Sequence, residues 1–177
     1  MGAVAAIVLA AGEGSRFGGP KQRILLPRVL ERLRRTSVDE IVVVEGAYEL
    51  ELPGDAVSQG ATRIVSCPDW QRGPGASLRR GLAALDGDVE TAVVALADGP
   101  NLSPTAVERV LDEWRTGDGI VAASYAGERG HPLVLGRDVW GDVPDEGLRD
   151  VAVKLVPCDD LGAPGDVDTP ADLTQWE

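Results

Sequence analysis

Short apolar segments of strand length alternate with helical patterns along this sequence, and that alternation constrains the fold more than any other feature. The apolar segments are residues 4–9, 41–44, 64–66 and 91–96, each bounded by Gly, Pro or Asp. Continuous apolar runs of this kind are typical of strands buried on both faces of a parallel sheet. Their alternation with helices predicts parallel strands joined by right-handed crossovers.

Each intervening stretch carries apolar residues three or four positions apart, which places one face of a helix against the sheet. These residues are Val29, Leu30 and Leu33, then Leu78, Leu82 and Leu85, and then Val107, Val110, Leu111 and Trp114. Ser103 followed by Pro104 predicts the N-terminal cap of the third helix. Residues 120–125 and 133–135 predict two more strands, joined by a turn at 127–130. We therefore predict an α/β fold with three layers, a mostly parallel sheet with helices on both faces, as a single domain over residues 1–177.

The composition limits the partners of this chain. Its formal net charge of −12 argues against a nucleic-acid partner, because binding a polyanion requires a basic face. No apolar stretch approaches the roughly 20 residues of a membrane span, and no basic leader precedes the first apolar run. Cys67 and Cys158 lie far apart without metal-ligand spacing, which suits a reducing compartment. We expect a cytoplasmic protein with no nucleic-acid or membrane partner.

The first apolar run leads into a glycine-rich segment, Leu-Ala-Ala-Gly-Glu-Gly-Ser-Arg-Phe-Gly-Gly-Pro-Lys-Gln at residues 9–22. Its glycines let backbone amides approach a phosphate chain, and Arg16 and Lys21, in the loop before the first helix, supply positive charge. The alternative is that the glycines serve only the geometry of a strand-to-helix turn. Phe17 stands where the dinucleotide-binding fingerprint needs glycine, and the Gly-Lys-Ser/Thr of the ATPase phosphate loop is absent.

Two further loops follow strands that a parallel sheet brings to the same edge. Asp98 follows the run at 91–96, where a carboxylate can hold Mg²⁺ against triphosphate oxygens; the alternative is an Asp that only caps the Asp-Gly-Pro turn. Ser77 ends the loop after Cys67, where its hydroxyl can contact a nucleotide; the alternative is a simple helix cap. Because ligands bind outside the carboxyl ends of parallel strands, we predict one crevice formed by the loops after the first, third and fourth runs.

The glycine-rich segment resembles that of the nucleotidyltransferases that include the molybdenum cofactor cytidylyltransferases and guanylyltransferases. Leu-Ala-Asp before Pro100 resembles the metal-binding end of a strand in this family. Gly-Glu-Arg-Gly-His-Pro at 127–132 is similar to the Gly-x-Arg-Gly-His-Pro stretch of the cytidylyltransferase branch. Asp-Val-Asp-Thr-Pro-Ala-Asp-Leu at 166–173 resembles the family's closing motif.

The resemblance implies a Rossmann-like nucleotidyltransferase fold and a reaction between a nucleoside triphosphate, with CTP favoured, and a phosphorylated acceptor such as molybdopterin. The implied nucleotide contacts are Leu9, Ala10, Ala11, Gly12, Gly14, Ser15, Arg16, Lys21, Ser77 and Asp98. Arg16, Lys21 and Asp98 are the implied catalytic residues, and Asp98 and Asp168 the implied ligands of Mg²⁺. Arg129 and His131 are implied to line the acceptor pocket, although a lone histidine before a proline is also typical of a structural role.

Two other classes of function stay open. A nicotinamide-dependent oxidoreductase would use Glu45, at the end of the second run, to hold a ribose. Glu45 lies 33 residues after Gly12, whereas the dinucleotide fingerprint places this acid about 20 residues further on. A non-catalytic nucleotide-binding module would keep the pocket without turnover. The segment after Gln22 is shorter than in the resembled family, which favours this class. Gly99 also departs from that family, which commonly has Gln at this position.

Overall fold

A computed structural model describes residues 2–54, 61–117 and 119–173 of this chain. Its strands are β1 (Ala3–Ala10), β2 (Glu40–Glu45), β3 (Thr62–Ser66), β4 (Val89–Leu96), β5 (Ile120–Tyr125), β6 (Glu128–Gly136) and β7 (Lys154–Pro157). They form one sheet in the order β3-β2-β1-β4-β6-β5-β7. The strand β6 runs antiparallel to both of its neighbours, and the other pairs are parallel. The predicted fold class, a mostly parallel sheet of the Rossmann-like nucleotidyltransferase kind, is confirmed.

The helices cover both faces of the sheet. Among the residues that the structure describes, the α-helices are α1 (Lys21–Leu33), α2 (Pro74–Ala83), α3 (Pro104–Trp114) and the short α4 (Pro170–Leu173). Successive side chains of a strand point to opposite faces, so Ala6 and Val8 of β1 pack in one core with α1 and α3, while Ile7 packs with α2 in the other. A Cβ at Gly81 would lie 2.9 Å from methyl groups of Ile7 and Val44, so only glycine lets α2 approach the sheet this closely.

The helix starts confirm one prediction and correct another. Ser103 caps α3, because its Oγ accepts a hydrogen bond from the amide of Ala106 at 3.3 Å. The prediction that Lys21 lies in the loop is wrong, since Lys21 is the first residue of α1. The buried positions of this helix include Leu25 and Leu26 as well as the predicted apolar set, so its inner face begins before Pro27, which lies inside the helix on the exposed side.

The predicted turn at 127–130 is also displaced. The turn of this hairpin consists of Ala126 and Gly127, whose φ angles are 53° and 79°, and two positive φ angles are the signature of a tight two-residue turn. Residues 129–132 therefore belong to β6 and not to a turn. Ala122 pairs with Leu133 and Ser124 pairs with Arg129, so residues 130–132 form a bulge opposite one residue of β5.

Among the described residues, no helix is both long and apolar enough to cross a membrane. Cys67 and Cys158 are both buried free thiols.

Candidate active site

A cleft of about 430 Å³ lies at the carboxyl ends of β1 and β4. The loops after β1, β3 and β4 all contribute to its lining, which confirms that they share one crevice. The predicted site residues that line it are Leu9, Ala11, Gly12, Gly14, Ser15, Arg16, Lys21, Ser77, Asp98 and Asp168. Ala10 has its side chain buried in the core beneath the cleft.

The glycines of the loop after β1 have different roles. Gly14 has a φ of +62°, and a Cβ there would lie 2.6 Å from the carbonyl oxygen of Gly19. The carbonyl of Gly14 accepts hydrogen bonds from the amides of Phe17 and Gly18, both at 3.0 Å, and Gly18 has a φ of +86°. Backbone geometry thus requires Gly14 and Gly18, as the turn-geometry alternative states. Within the described part of the chain, the amides of Ser15 and Arg16 have no hydrogen-bond acceptor, so they are available to an anion.

Lys21 is the buried cation of the cleft, with 8% of its side chain exposed. Its Nζ lies 3.1 Å from Oδ2 of Asp98 and 3.4 Å from Oδ1 of Asp168, and it donates a hydrogen bond of 2.5 Å to the carbonyl of Val167. A buried ammonium group is tolerated only with partners of this kind. Arg16 lies nearby on the exposed side, with its Nη1 3.4 Å from Oδ2 of Asp168.

Asp98, Asp166 and Asp168 form a carboxylate cluster in which one oxygen of each lies within 4.8 Å of the others. The buried Val167 separates the last two, and its amide donates to the carbonyl of Asp98 at 3.2 Å, which joins the closing segment to the loop after β4. Partial burial and the neighbouring charges of Asp98 and Asp168 raise the pKa of Asp166. Converging carboxylate oxygens are the ligands that Mg²⁺ and related hard cations prefer, so this cluster fits a divalent metal ion.

Two residues at the site have no role assigned by the sequence analysis: Asp166, which belongs to the carboxylate cluster, and Gln22, which lines the cleft. The sequence signals for Asp166 are its place at the start of the closing motif at 166–173 and its spacing of two residues from Asp168. Gln22 is 4% exposed, and its Nε2 donates to the carbonyl of Gly12 at 2.9 Å. Its Oε1 is buried and has no hydrogen-bond partner among the described residues. A buried oxygen without a partner in the lining of a cleft can accept a hydrogen bond from a ligand.

The far wall of the cleft is the loop that leads into α2. The helix begins after Gly73, so the alternative that Ser77 is its N-terminal cap is wrong; Ser77 lies one turn inside the helix and is buried. Trp70 and Pro74 line the cleft beside it. Asp145 fixes this wall, because its carboxylate binds the guanidinium groups of Arg72 and Arg79 and its carbonyl accepts from the amide of Gly75.

A second cavity of about 410 Å³ adjoins the first and shares Leu96 with it. Arg129 and His131, predicted for an acceptor pocket, both line it, as does Asp166. The guanidinium of Arg129 donates to the backbone carbonyls of Leu148, Arg149 and Val151. Burial, together with the positive charge of Arg129, lowers the pKa of His131 to about 4, although Asp98 opposes this shift.

Both carboxylate oxygens of Glu45 accept hydrogen bonds from neighbouring residues. Its Oε1 accepts from the hydroxyl of Ser66 at 2.6 Å and its Oε2 from the amide of Leu50 at 2.7 Å. It does not belong to the lining of the cleft as described. The geometry therefore lends no support to Glu45 as a ribose-binding acid.

The chain is similar to known proteins over most of its length. Residues 6–154 match the model of the MobA-like NTP transferase domain. Nicotine blue oxidoreductase of Paenarthrobacter nicotinovorans is 34% identical over an alignment of 191 positions, gaps included, that covers 94% of this chain and 92% of the relative. The 2-C-methyl-D-erythritol 4-phosphate cytidylyltransferase of Frankia casuarinae is 38% identical over an alignment of 124 positions, gaps included, that covers 60% of this chain and 42% of that protein.

Solved structures share the fold over almost the whole chain. A homologue of Mycobacterium tuberculosis Rv0371c from Mycobacterium sp. strain JC1 has a TM-score of 0.78 and 28% identity, with 98% of this chain and 94% of that chain covered. The Mycobacterium tuberculosis H37Rv protein Rv0371c in complex with manganese has a TM-score of 0.71 at 23% identity, with 98% and 97% covered, a likeness that shows the fold alone. With the family model matching residues 6–154 and the fold shared throughout, this chain belongs to the MobA-like NTP transferase domain family.

Proposed function

We propose that this protein transfers a nucleotidyl group from a nucleoside triphosphate to a phosphorylated small-molecule acceptor and releases pyrophosphate. The proposal rests on one observation: two cations and two carboxylates form ion pairs beneath the glycine-rich loop. Lys21 pairs with Asp98 and Asp168, and Arg16 pairs with Asp168. Cations for a triphosphate and oxygen ligands for a metal ion thus share one cleft.

In the proposed reaction, an oxygen of the acceptor phosphate attacks the α-phosphorus of the triphosphate. A new P–O bond forms as the bond between the α-phosphorus and the bridging oxygen to the β-phosphate breaks. A phosphate monoester is mostly ionised near neutral pH, so neither a protein nucleophile nor a general base is required. The amides of Ser15 and Arg16 would receive phosphate oxygens, and the Arg16 and Lys21 side chains would neutralise the charge on the departing pyrophosphate.

A divalent cation, proposed here as Mg²⁺, would supply further neutralisation of the triphosphate. Asp98, Asp168 and the additional carboxylate of Asp166 would hold it, because these three offer converging oxygen atoms. Binding phosphate would draw Lys21 away from Asp98, and that exchange frees the carboxylate for the metal ion.

We propose CTP as the donor and molybdopterin, or a similar phosphorylated ring, as the acceptor. The resemblance of residues 127–132 to the cytidylyltransferase branch supports CTP, as does the similarity to a cytidylyltransferase over 60% of the chain. Arg129 and His131 would belong to the acceptor pocket, since both line the cavity next to the proposed donor cleft. With His131 uncharged at neutral pH, we assign it a role in shaping that pocket rather than in proton transfer.

The test combines binding and turnover. Each of the four nucleoside triphosphates is added to the purified protein with and without Mg²⁺, and the melting temperature is recorded. A ligand that binds only the folded state raises it, so we expect a rise that requires Mg²⁺ and is largest with CTP. The reverse reaction is then measured as formation of CTP from pyrophosphate and a cytidylylated cofactor. A thermal shift without that reaction would identify a non-catalytic binding module.

An oxidoreductase is the second candidate, because the relative that matches 94% of this chain is named one. Two features argue against a nicotinamide site of the usual kind. Both carboxylate oxygens of Glu45 already accept hydrogen bonds within the protein. The dinucleotide fingerprint also needs a glycine at position 17, where this chain has Phe17. NAD, NADP and their reduced forms are therefore included in the thermal-shift series. Stabilisation by any of them, with none from the nucleoside triphosphates, would replace the transferase proposal.

A further inference from the structure

We propose that Asp145, which lies outside the lining of the first cleft, is a positioning residue for the nucleoside part of the bound triphosphate. It would act by holding the far wall of that cleft in the shape that receives a nucleoside. The residues of this wall that line the cleft are Trp70, Gly73, Pro74 and Ser77. The inference rests on the proposed function, because that function places a nucleoside triphosphate in this cleft.

The two sides of the cleft differ in chemistry. The side at the glycine-rich loop carries the ion-paired Arg16, Lys21, Asp98 and Asp168. These charges suit the phosphates and a metal ion. The far wall offers an aromatic ring, a proline ring and a hydroxyl group, and among the described residues it adds no charged side chain to the lining. A triphosphate bound at the first side would therefore direct its base and ribose to the far wall.

The carboxylate of Asp145 connects the two elements that form this wall. Its Oδ2 accepts a hydrogen bond of 3.0 Å from Nη2 of Arg72, in the 3₁₀ turn that begins at Trp70. Its Oδ1 accepts a hydrogen bond from Nη2 of Arg79, in the helix α2. The hydrogen bonds from Arg79 and Arg72 lower the pKa of Asp145. One side chain thus fixes both the turn that carries Trp70 and the helix that carries Ser77.

The backbone around Asp145 lies directly against the same wall. The amide of Gly75 donates to the carbonyl of Asp145 at 2.9 Å. A Cβ at Gly75 would overlap the carbonyl oxygen of Pro144, so only glycine permits this approach. Nη1 of Arg79 also donates to the carbonyl of Val143 at 2.6 Å. The position of the wall is therefore set by the segment that carries Asp145.

This segment, residues 143–151, is itself anchored to the rest of the protein. The side chains of Val143 and Leu148 are buried in the core that contains α2. Arg129 of β6 donates to three backbone carbonyls of the segment. Asp145 thus holds the wall to a fixed support, and the wall would not have to be ordered when a nucleoside binds. Such preorganisation lowers the free-energy cost of binding.

The experiment compares a nucleoside triphosphate with inorganic tripolyphosphate, which lacks the nucleoside. The nucleotide is the one that stabilises the protein most, expected to be CTP, and binding to the full chain with Mg²⁺ is measured by isothermal titration calorimetry. Asp145→Ala should weaken nucleotide binding at least about tenfold, because two charge-assisted hydrogen bonds that hold the wall are lost. Binding of tripolyphosphate should change by less than about twofold, because the phosphate side of the cleft is a separate set of residues. A general loss of folded structure would weaken both.

Asp160→Ala is the matched control. Asp160 also binds two nitrogens of an arginine, those of Arg109 at 2.7 and 3.0 Å, and it lines neither cavity. Both affinities should be unchanged in this variant. Asp145→Asn preserves shape and one neutral acceptor, so it should give an intermediate loss, and it provides the same comparison if Asp145→Ala does not fold. Arg72→Ala combined with Asp145→Ala should add little to the loss, because the two residues belong to one ion pair.

The outcomes separate this inference from the transferase function. Unchanged nucleotide affinity in Asp145→Ala and Asp145→Asn, or equal losses for the nucleotide and tripolyphosphate, would overturn the role of Asp145 and leave the transferase function in place. Failure of tripolyphosphate to bind the unmodified protein would also overturn it, since the phosphate side would then not bind on its own. If the expected difference is found and the protein has no transferase turnover, the role of Asp145 stands and the transferase function fails. Binding of none of the four nucleoside triphosphates would overturn both.

Discussion

Lys21 has partners that a bound nucleotide would have to replace. It is one of two lysines in the chain, and its Nζ lies between Asp98 and Asp168. A positive charge in this position opposes binding of a metal ion to the same carboxylates. When phosphate oxygens of a nucleotide bind the Lys21 ammonium group in place of the carboxylates, that group no longer opposes binding of the metal ion. Metal and nucleotide should therefore favour each other's binding, because such coupling is reciprocal.

Lys21→Met is predicted to tighten Mn²⁺ binding in the absence of nucleotide about tenfold, since it removes the competing cation. The same change should weaken CTP binding at saturating Mn²⁺ by at least about tenfold, because a charged hydrogen-bond donor is lost. Free Mn²⁺ is measured by electron paramagnetic resonance. Lys154→Met, which removes an exposed partner of Glu113 on another surface, is the control. Unchanged Mn²⁺ affinity in Lys21→Met would contradict this account of the lysine.

Asp98→Asn is predicted to reduce pyrophosphate release at least about 100-fold with the fold retained, because it removes a metal-binding charge and preserves shape. Asp168→Asn should cause a smaller loss, because Asp166 on the same closing segment can take its place as a ligand, whereas Asp98 is the one carboxylate of the cluster that the loop after β4 supplies. Asp112→Asn, an exposed residue of α3, should have no effect. Equal losses from Asp98→Asn and Asp168→Asn would show that the two carboxylates act as one unit.

At the scale of the loop after β1, two glycines provide a matched test. Gly14→Ala forces a side chain into a positive φ and against the carbonyl of Gly19, and we predict a cost of about 1–2 kcal/mol from the backbone alone. Gly19→Ala meets no atom within 4 Å and should be tolerated. Urea unfolding and the thermal shift with CTP measure both effects. A full CTP shift in Gly14→Ala would show that the conformation of the loop does not govern nucleotide binding.

The elements that could be predicted from the sequence are those whose signal is local. Apolar runs predicted β1 to β5 and the second half of β6, but not β7, whose four residues begin with a charged side chain before an apolar one. The Ser103 and Pro104 pair predicted a helix start, because hydroxyl capping depends on adjacent residues. The start of α1 at Lys21 was not predictable in this way. Its first turn is set by burial of Lys21 against Asp98 and Asp168, which are distant in sequence.

The site shows the same division. The glycine-rich loop and Asp98 follow strand ends and are visible as motifs, and the structure places both in one cleft. The roles of Asp166 and Gln22 depend on tertiary contacts. Asp166 lies near two other carboxylates, those of Asp98 and Asp168. Gln22 has a buried side-chain oxygen without a hydrogen-bond partner among the described residues. The bulge at 130–132 likewise depends on pairing between strands, which a pattern along one strand does not reveal.

At the scale of the whole molecule, the strongly acidic composition and the proposed binding of polyphosphate are compatible because charge is distributed unevenly. The formal net charge is −12, yet Arg16 and Lys21 both lie at the glycine-rich loop. The carboxylates beside them would be neutralised by a bound metal ion in the proposed complex.

The stability of the whole molecule should depend on the protonation of its single histidine. In the folded protein the pKa of His131 is lowered from 6.5 to about 4 by burial and by the charge of Arg129. Between these values the unfolded chain binds a proton that the folded protein does not. Lowering the pH therefore favours unfolding, and this residue should reduce the free energy of unfolding by up to about 1.4 kcal/mol per pH unit.

His131→Gln isolates that contribution from other titrating groups. The raised pKa of Asp166 acts in the opposite direction, because the folded state then retains a proton that the unfolded chain has lost. Both proteins contain Asp166 and the remaining carboxyl groups, so these largely cancel in the difference between their stabilities. Urea unfolding at intervals from pH 4 to 8 should give a difference curve that is flat above pH 7 and favours His131→Gln increasingly as the pH falls toward 4. Any fixed cost of the substitution shifts this curve without changing its slope, so parallel stability profiles would show that His131 titrates as it does in water.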